Sequence, residues 1–116
     1  MARLLHLDRA IVPRAKIVNY LLSDRHSGGR SKAQFLAHFG FRAQDWHILR
    51  DALITHATAN DITASYHTPF GTKHEIDGPL PTPDGRAPIV RVIWFVQSQE
   101  TVPRLVTLVP RRTIAP

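Results

Sequence analysis

His26, Ser27, Gly28, Gly29, Arg30, Ser31, Lys32 and Ala33 follow one another between two helix-like stretches. Residues of these types at this spacing could hold a phosphate. The glycines let the backbone come close to an anion, and the N–H groups that open the following helix carry partial positive charge. Arg30 and Lys32 add full charges, and His26 adds an imidazole that titrates near neutrality. Lys32 falls in the first turn of that helix, where a cation is electrostatically disfavoured; this placement argues for a role beyond stability.

Such a set suits cleavage of RNA without a metal. That reaction needs a base for the 2′-hydroxyl proton, an acid for the leaving oxygen, and cations or fixed dipoles for the charge on the phosphorane. Beyond the turn with His26, Gly29, Arg30 and Lys32, the chain offers Thr72, Lys73 and His74 on one strand-like stretch. Arg91, Arg104 and Thr107 lie on later ones. Each has a plainer reading: a helix-end hydrogen bond for His26, a solvated charge for Arg30, an exposed sheet face for His74. Arg91, flanked by apolar residues, is either functional or ion-paired, and Arg104 could be an edge-strand charge that blocks aggregation. His38, His47 and His56 read as helix-surface residues, and Trp94 reads as core rather than as a stacking platform.

Other chemistries find less support. Seven histidines raise the question of a metal, yet no two are spaced to put two ligands on one helix face. His67 and His74 could converge across a hairpin, but no carboxylate partner is apparent, so no metal and no cofactor are expected. The chain has no cysteine, which excludes disulfides, thiolate metal sites and a cysteine nucleophile. It lacks a Gly-x-Ser-x-Gly elbow, a dinucleotide fingerprint and a phosphate loop of the Walker spacing.

These residues need a frame to position them. Residues 1–12 read as an extended arm. Pro13 suits the first position of a helix on which Ile17, Val18, Leu21 and Leu22 form an apolar stripe. Ser31 could cap a second helix that buries Ala33, Phe35 and Leu36 and ends at Gly40. A third runs from about Gln44 to His56, with Trp46, Leu49, Leu53 and Ile54 along one side. Strands are expected at 62–68, 72–77, 89–97 and 105–109, with a Pro-Asp-Gly turn at Pro83–Gly85. Val90, Val92, Trp94 and Val96 share one face of the third; Arg91, Ile93 and Phe95 share the other. The expected fold is α+β: about three helices, then a curved antiparallel meander of three to four strands. One domain is expected over residues 1–116, with an arm at 1–12, a helical part at 13–58 and a sheet part at 61–110.

Fifteen Lys and Arg against nine Asp and Glu give a formal net charge of +6. A polyanion, RNA above all, is therefore the first partner to consider. No apolar run reaches the length of a membrane span, and residues 1–14 read as mature protein rather than a signal peptide. A cytoplasmic protein fits these features.

The whole chain resembles a small bacterial family classed as a domain of unknown function. The matching stretches are Val12–Lys16, Tyr20–Ser23, His26 with Gly29–Ala33, Gly40-Phe41, Phe70–Lys73, Asp77–Leu80, Pro83–Arg86, Trp94, and Pro103–Thr107 with Pro110. Through that family it resembles toxin domains of the barnase, EndoU, colicin-RNase and RelE-like group, which place helices before a curved antiparallel sheet and cleave RNA without metal. The resemblance puts His26, Arg30 and Lys32 at the family's most polar motif, and Thr72, Arg104 and Thr107 at its strand motifs. It departs at Ser27-Gly28, where proline and an aliphatic residue are usual, at His74, where an aromatic is usual, and at Leu108-Val109, where alanine-tyrosine is common. It implies a ribonuclease toxin held by a cognate antitoxin or immunity protein. His26 would be acid or base, Lys32 and Arg104 would bind phosphate, and Thr72 and Thr107 would orient it, with Gly29, Arg30, Lys73, His74 and Arg91 binding substrate. The alternatives are a non-catalytic nucleic-acid- or protein-binding module and a structural partner protein. A homodimer is compatible with the apolar arm.

Overall fold

The computed structural model describes residues 2–23 and 30–111, with Arg30 described by its backbone. His26 and Gly29 lie outside the described residues. After a 3₁₀ turn at Leu7–Arg9 come α1 (Arg14–Lys16), a π-helical turn (Ile17–Leu21), α2 (Arg30–His38), a 3₁₀ turn (Ala43–Asp45) and α3 (Trp46–Ala59). Four strands follow: β1 (Ala64–Thr68), β2 (Gly71–Pro79), β3 (Ile89–Gln97) and β4 (Arg104–Pro110). They form one antiparallel sheet in sequence order, an open meander. The helices-then-meander order expected from the sequence is the order observed. Among the described residues no helix is long and apolar enough to cross a membrane.

Local chemistry explains the helix boundaries. Pro13 stands just before α1 in extended conformation, and its carbonyl accepts from Lys16 and Ile17. The helix then widens: the Leu22 N–H reaches the Ile17 carbonyl at 2.7 Å, five residues back. Ile17 and Leu21 are fully buried, which anchors this turn to the core. α2 closes in a Schellman arrangement. Phe41 N–H bonds to Leu36 O, Gly40 N–H bonds to Ala37 O, and Gly40 takes φ 103°.

The apolar side of the helices covers one face of the sheet. Leu36, Leu49, Leu53, Ile76, Leu80, Val90, Val92, Trp94 and Leu108 are fully buried in a single cluster with Ile17 and Leu21. The expected inward set on β3 is confirmed at Val90, Val92 and Trp94, while Val96 is half-buried beyond the helical cover. His56 departs from expectation. It is fully buried in α3 between Leu53 and Ala57, and its Nε2 lies 3.2 Å from the Gly78 carbonyl of β2. Burial pushes its pKa down, so the ring is neutral at neutral pH and Nε2–H donates to that carbonyl.

On β4 the pairing slips by one residue. Val92 faces Leu108 and Ile93 faces Thr107, but Trp94 faces Leu105. Val106 is the extra residue of a β-bulge. The bulge lets Leu105 and Leu108, three apart, both point into the core. It also turns Thr107 to the face of the sheet opposite the helices, where its register partner Ile93 lies.

Candidate functional site

Three side chains from distant parts of the chain meet at the β4 edge. Lys32, in the first turn of α2, brings its Nζ to 2.8 Å from the Tyr20 hydroxyl and 3.1 Å from Thr107 Oγ1. The two hydroxyls are 3.2 Å apart. The trio is half-buried. The π-helical turn carries Tyr20 toward β4, and the bulge presents Thr107 to it. An ammonium has three donors, of which two are used here; among the described residues the third has no acceptor. Lys32 and Lys16 also lie over the Tyr20 ring, at 5.2 and 5.5 Å from its centre.

This surrounding acts on the phenol. The hydrogen bond from Lys32 is the largest influence, followed by that with Thr107; with the charges of Lys32 and Lys16 they outweigh burial and lower the Tyr20 pKa. The arrangement therefore sets an ammonium beside a phenol whose pKa is lowered. Tyr20 is a site residue that the sequence reading does not contain. The available signal was Lys16 and Tyr20 spaced i,i+4 on a helix, which puts cation and ring on one side.

The structure divides the other candidates between the two faces of the sheet. Arg104 opens β4 opposite Phe95, three residues from Thr107. Its Nη2 sits 3.6 Å from a Glu100 carboxylate oxygen, and its Nε is buried with no partner among the described residues. Arg91 pairs with Asp77 through two hydrogen bonds, 2.7 and 2.9 Å, and approaches Glu75 at 3.4 Å. The first of these interactions holds the Asp77 carboxyl below its ordinary range. Lys73 lies 3.6 Å from Glu75 and over the Tyr66 ring at 5.0 Å. These residues share the face with Thr107.

Thr72 and His74 point the other way, because they pair with the inward Val96 and Trp94. Thr72 meets His67 Nδ1 at 3.0 Å, and Ser65 Oγ meets His74 Nδ1 at 2.7 Å. His74 lines a cavity of about 340 Å³ under the N-terminal arm, with Leu4, Ile62, Val96, Glu100 and Thr101. Burial, then the nearby His67, lowers its pKa. The structure thus brings Lys32 and Thr107 together and does not bring Thr72 or His74 to them. Among the described residues no group of three or more His, Asp and Glu side chains is placed to hold a metal ion.

A family model, the domain of unknown function DUF6883, matches residues 3–112. The chain belongs to this family. In architecture this DUF6883 chain is similar to a solved chain from a contact-dependent growth inhibition toxin–immunity protein complex of Klebsiella pneumoniae 342. The TM-score is 0.70 at 16% identity, over 88% of this chain and 100% of that one. At that identity the likeness establishes the shared fold. No curated protein matches the sequence.

Proposed function

We propose that this chain is a ribonuclease of a toxin system, cutting RNA by attack of a 2′-hydroxyl on the adjacent phosphate without a metal. The observation that carries the reading is the Lys32–Tyr20–Thr107 trio: one ammonium shared by two hydroxyls, one of them with a lowered pKa, on a chain of net charge +6. The toxin-system part draws on the fold shared with a chain of a toxin–immunity complex. That likeness also makes a cognate partner protein part of the proposal.

In the reaction the O2′–P bond forms and the P–O5′ bond breaks. The products are a 2′,3′-cyclic phosphate and a 5′-hydroxyl. Lys32 stabilises the extra charge on the phosphorane oxygens. Tyr20 gives its proton to the departing O5′, and Thr107 holds that hydroxyl in place. His26, on the segment just before α2, is the proposed base for the 2′-hydroxyl proton. Arg104 supplies a second cation along the same strand edge.

The test is incubation of purified protein with RNA in the presence of a chelator, followed by analysis of fragment ends. Cyclic-phosphate ends that disappear in Tyr20→Phe and His26→Ala are the expected result. Intact RNA with folded wild-type protein would overturn the reading, as would cleavage that requires an added divalent ion.

A further inference from the structure

The face of the sheet turned away from the helices carries an ordered row across all four strands. Tyr66 on β1 pairs with Lys73 on β2, Lys73 with Phe95 on β3, and Phe95 with Arg104 on β4. Paired residues share a face, so aromatic, cation, aromatic and cation alternate along one line. Tyr66 is 50% exposed, the Lys73 side chain 43% and the Arg104 side chain 39%. Phe95 is half-buried, its ring resting over Gly71, where a Cβ would come within 2.7 Å of Cζ. At about 4.8 Å between strands, the two rings stand about 10 Å apart.

We infer that this row is a platform for single-stranded RNA, with bases stacking on Tyr66 and Phe95 and phosphates held by Lys73 and Arg104. Every base has a π-face, so rings set between cations hold a strand without reading its sequence. The charge on this face is arranged to suit. Arg91 engages both Asp77 and Glu75 toward one end. The cations of the row stand at the other, each 3.6 Å from its nearest carboxylate oxygen, and among the described residues neither side chain makes a hydrogen bond. Those loose pairs can exchange a carboxylate for a phosphate. The next pair on this face along β3 and β4 is Ile93 and Thr107, so the row leads to the proposed cleavage site.

The inference rests on RNA being the ligand, as proposed above, and adds that the ligand is unpaired. It assigns a binding role to Tyr66 and Phe95, which no sequence motif singles out. Trp94, the one tryptophan of β3, cannot serve, since it is fully buried on the other face.

The experiment uses a fluorescent single-stranded RNA with every 2′-hydroxyl methylated, which blocks the proposed cleavage and leaves binding to be read by anisotropy. Tyr66→Ala is expected to weaken binding about tenfold, and Tyr66→Phe to restore it, since stacking needs the ring and not the hydroxyl. Lys73→Ala should flatten the dependence of log affinity on log salt by about 0.7. A duplex of the same sequence should bind without any dependence on Tyr66. Because Tyr66 is exposed, folding of its variants is checked by circular dichroism and is expected to be unchanged. Equal affinity of folded Tyr66→Ala and wild type overturns the platform, as does absence of any single-strand binding. Tyr66-dependent binding by a protein that cuts no RNA upholds the platform while removing the chemistry. Cleavage by a protein whose affinity ignores Tyr66 does the reverse.

Discussion

Replacing Lys32 with methionine separates what this residue does for stability from what it does for catalysis. The change removes two N–H···O contacts, at 2.8 and 3.1 Å, and keeps an apolar stem of similar length. Removing one side of a hydrogen bond costs about 1–3 kcal/mol when the buried partner is left stranded. Here neither hydroxyl is stranded: Tyr20 and Thr107 stay 3.2 Å apart, and the half-buried site admits water. The expected loss of stability is therefore only about 1 kcal/mol. Loss of a fixed donor at a developing oxyanion costs far more, about 10²–10³ in rate, or about 2.7–4 kcal/mol. Single-turnover cleavage of a labelled RNA, set beside urea denaturation of the same preparations, reads both quantities. Lys32→Met should also raise the pKa of Tyr20, because the hydrogen bond from Lys32 is the largest of the influences that lower it. As the acid, Tyr20 must be protonated, so the wild-type rate should fall as pH rises through its lowered pKa. In the variant, whatever rate remains should fall at higher pH. A folded Lys32→Met protein that cleaves within about threefold of wild type would refute the assignment, since about 0.6 kcal/mol is less than any oxyanion contact supplies.

Two further outcomes concern the frame that holds the site. Gly71→Ala should destabilise the protein by about 2–4 kcal/mol, read by urea denaturation; a shift below about 1 kcal/mol would contradict the geometry. Gly71 has φ 151°, and a Cβ there would meet the Val96 carbonyl oxygen and come 2.7 Å from Phe95 Cζ. His56 should make stability depend on pH. Its folded pKa lies below the ordinary 6.5, so the unfolded chain takes up the proton first. Stability is full above about pH 6.5 and declines as pH falls toward the folded value; denaturation midpoints that are flat across this window would show that the ring is not buried neutral.

Much of the frame was legible because its signals are local. Gly40 ends α2 through its own φ and two backbone bonds to the preceding turn. The alternation of Val90, Val92 and Trp94 needs only the period of a strand to mark the inward face of β3. His56 was not legible as core, since the carbonyl that its Nε2 bonds lies 22 residues away on another element. Tyr20 was hidden by a different cause: a π-helical turn shifts every later side chain around the axis, and nothing in Ile17–Leu21 announces it.

The candidate site turned on parity, which no motif carries. Strict alternation along β4 puts Leu105, Thr107 and Val109 on one face, and it would bury the Thr107 hydroxyl beside Leu105. One extra residue at Val106 reverses that relation: Leu105 and Leu108 go inward, and Thr107 joins Ile93 and Phe95 outside. On β2 the pairing runs without a break, so Thr72 and His74 stay on the inward parity with Val96 and Trp94. Polar residues that read as one set along the chain are thus parted by the thickness of the sheet. Lys32 can reach Thr107 because β4 is an edge strand, and a side chain from α2 needs only to pass its rim. Reaching Thr72 would mean entering the face that the apolar cluster and the N-terminal arm occupy. Deleting Val106 would make the pairing regular while leaving Leu105 and Leu108 inward and Thr107 outward, because each keeps its present partner on β3. A folded Val106-deletion variant should therefore still cleave RNA, and loss of cleavage would show that the bulge sets more than the face of Thr107.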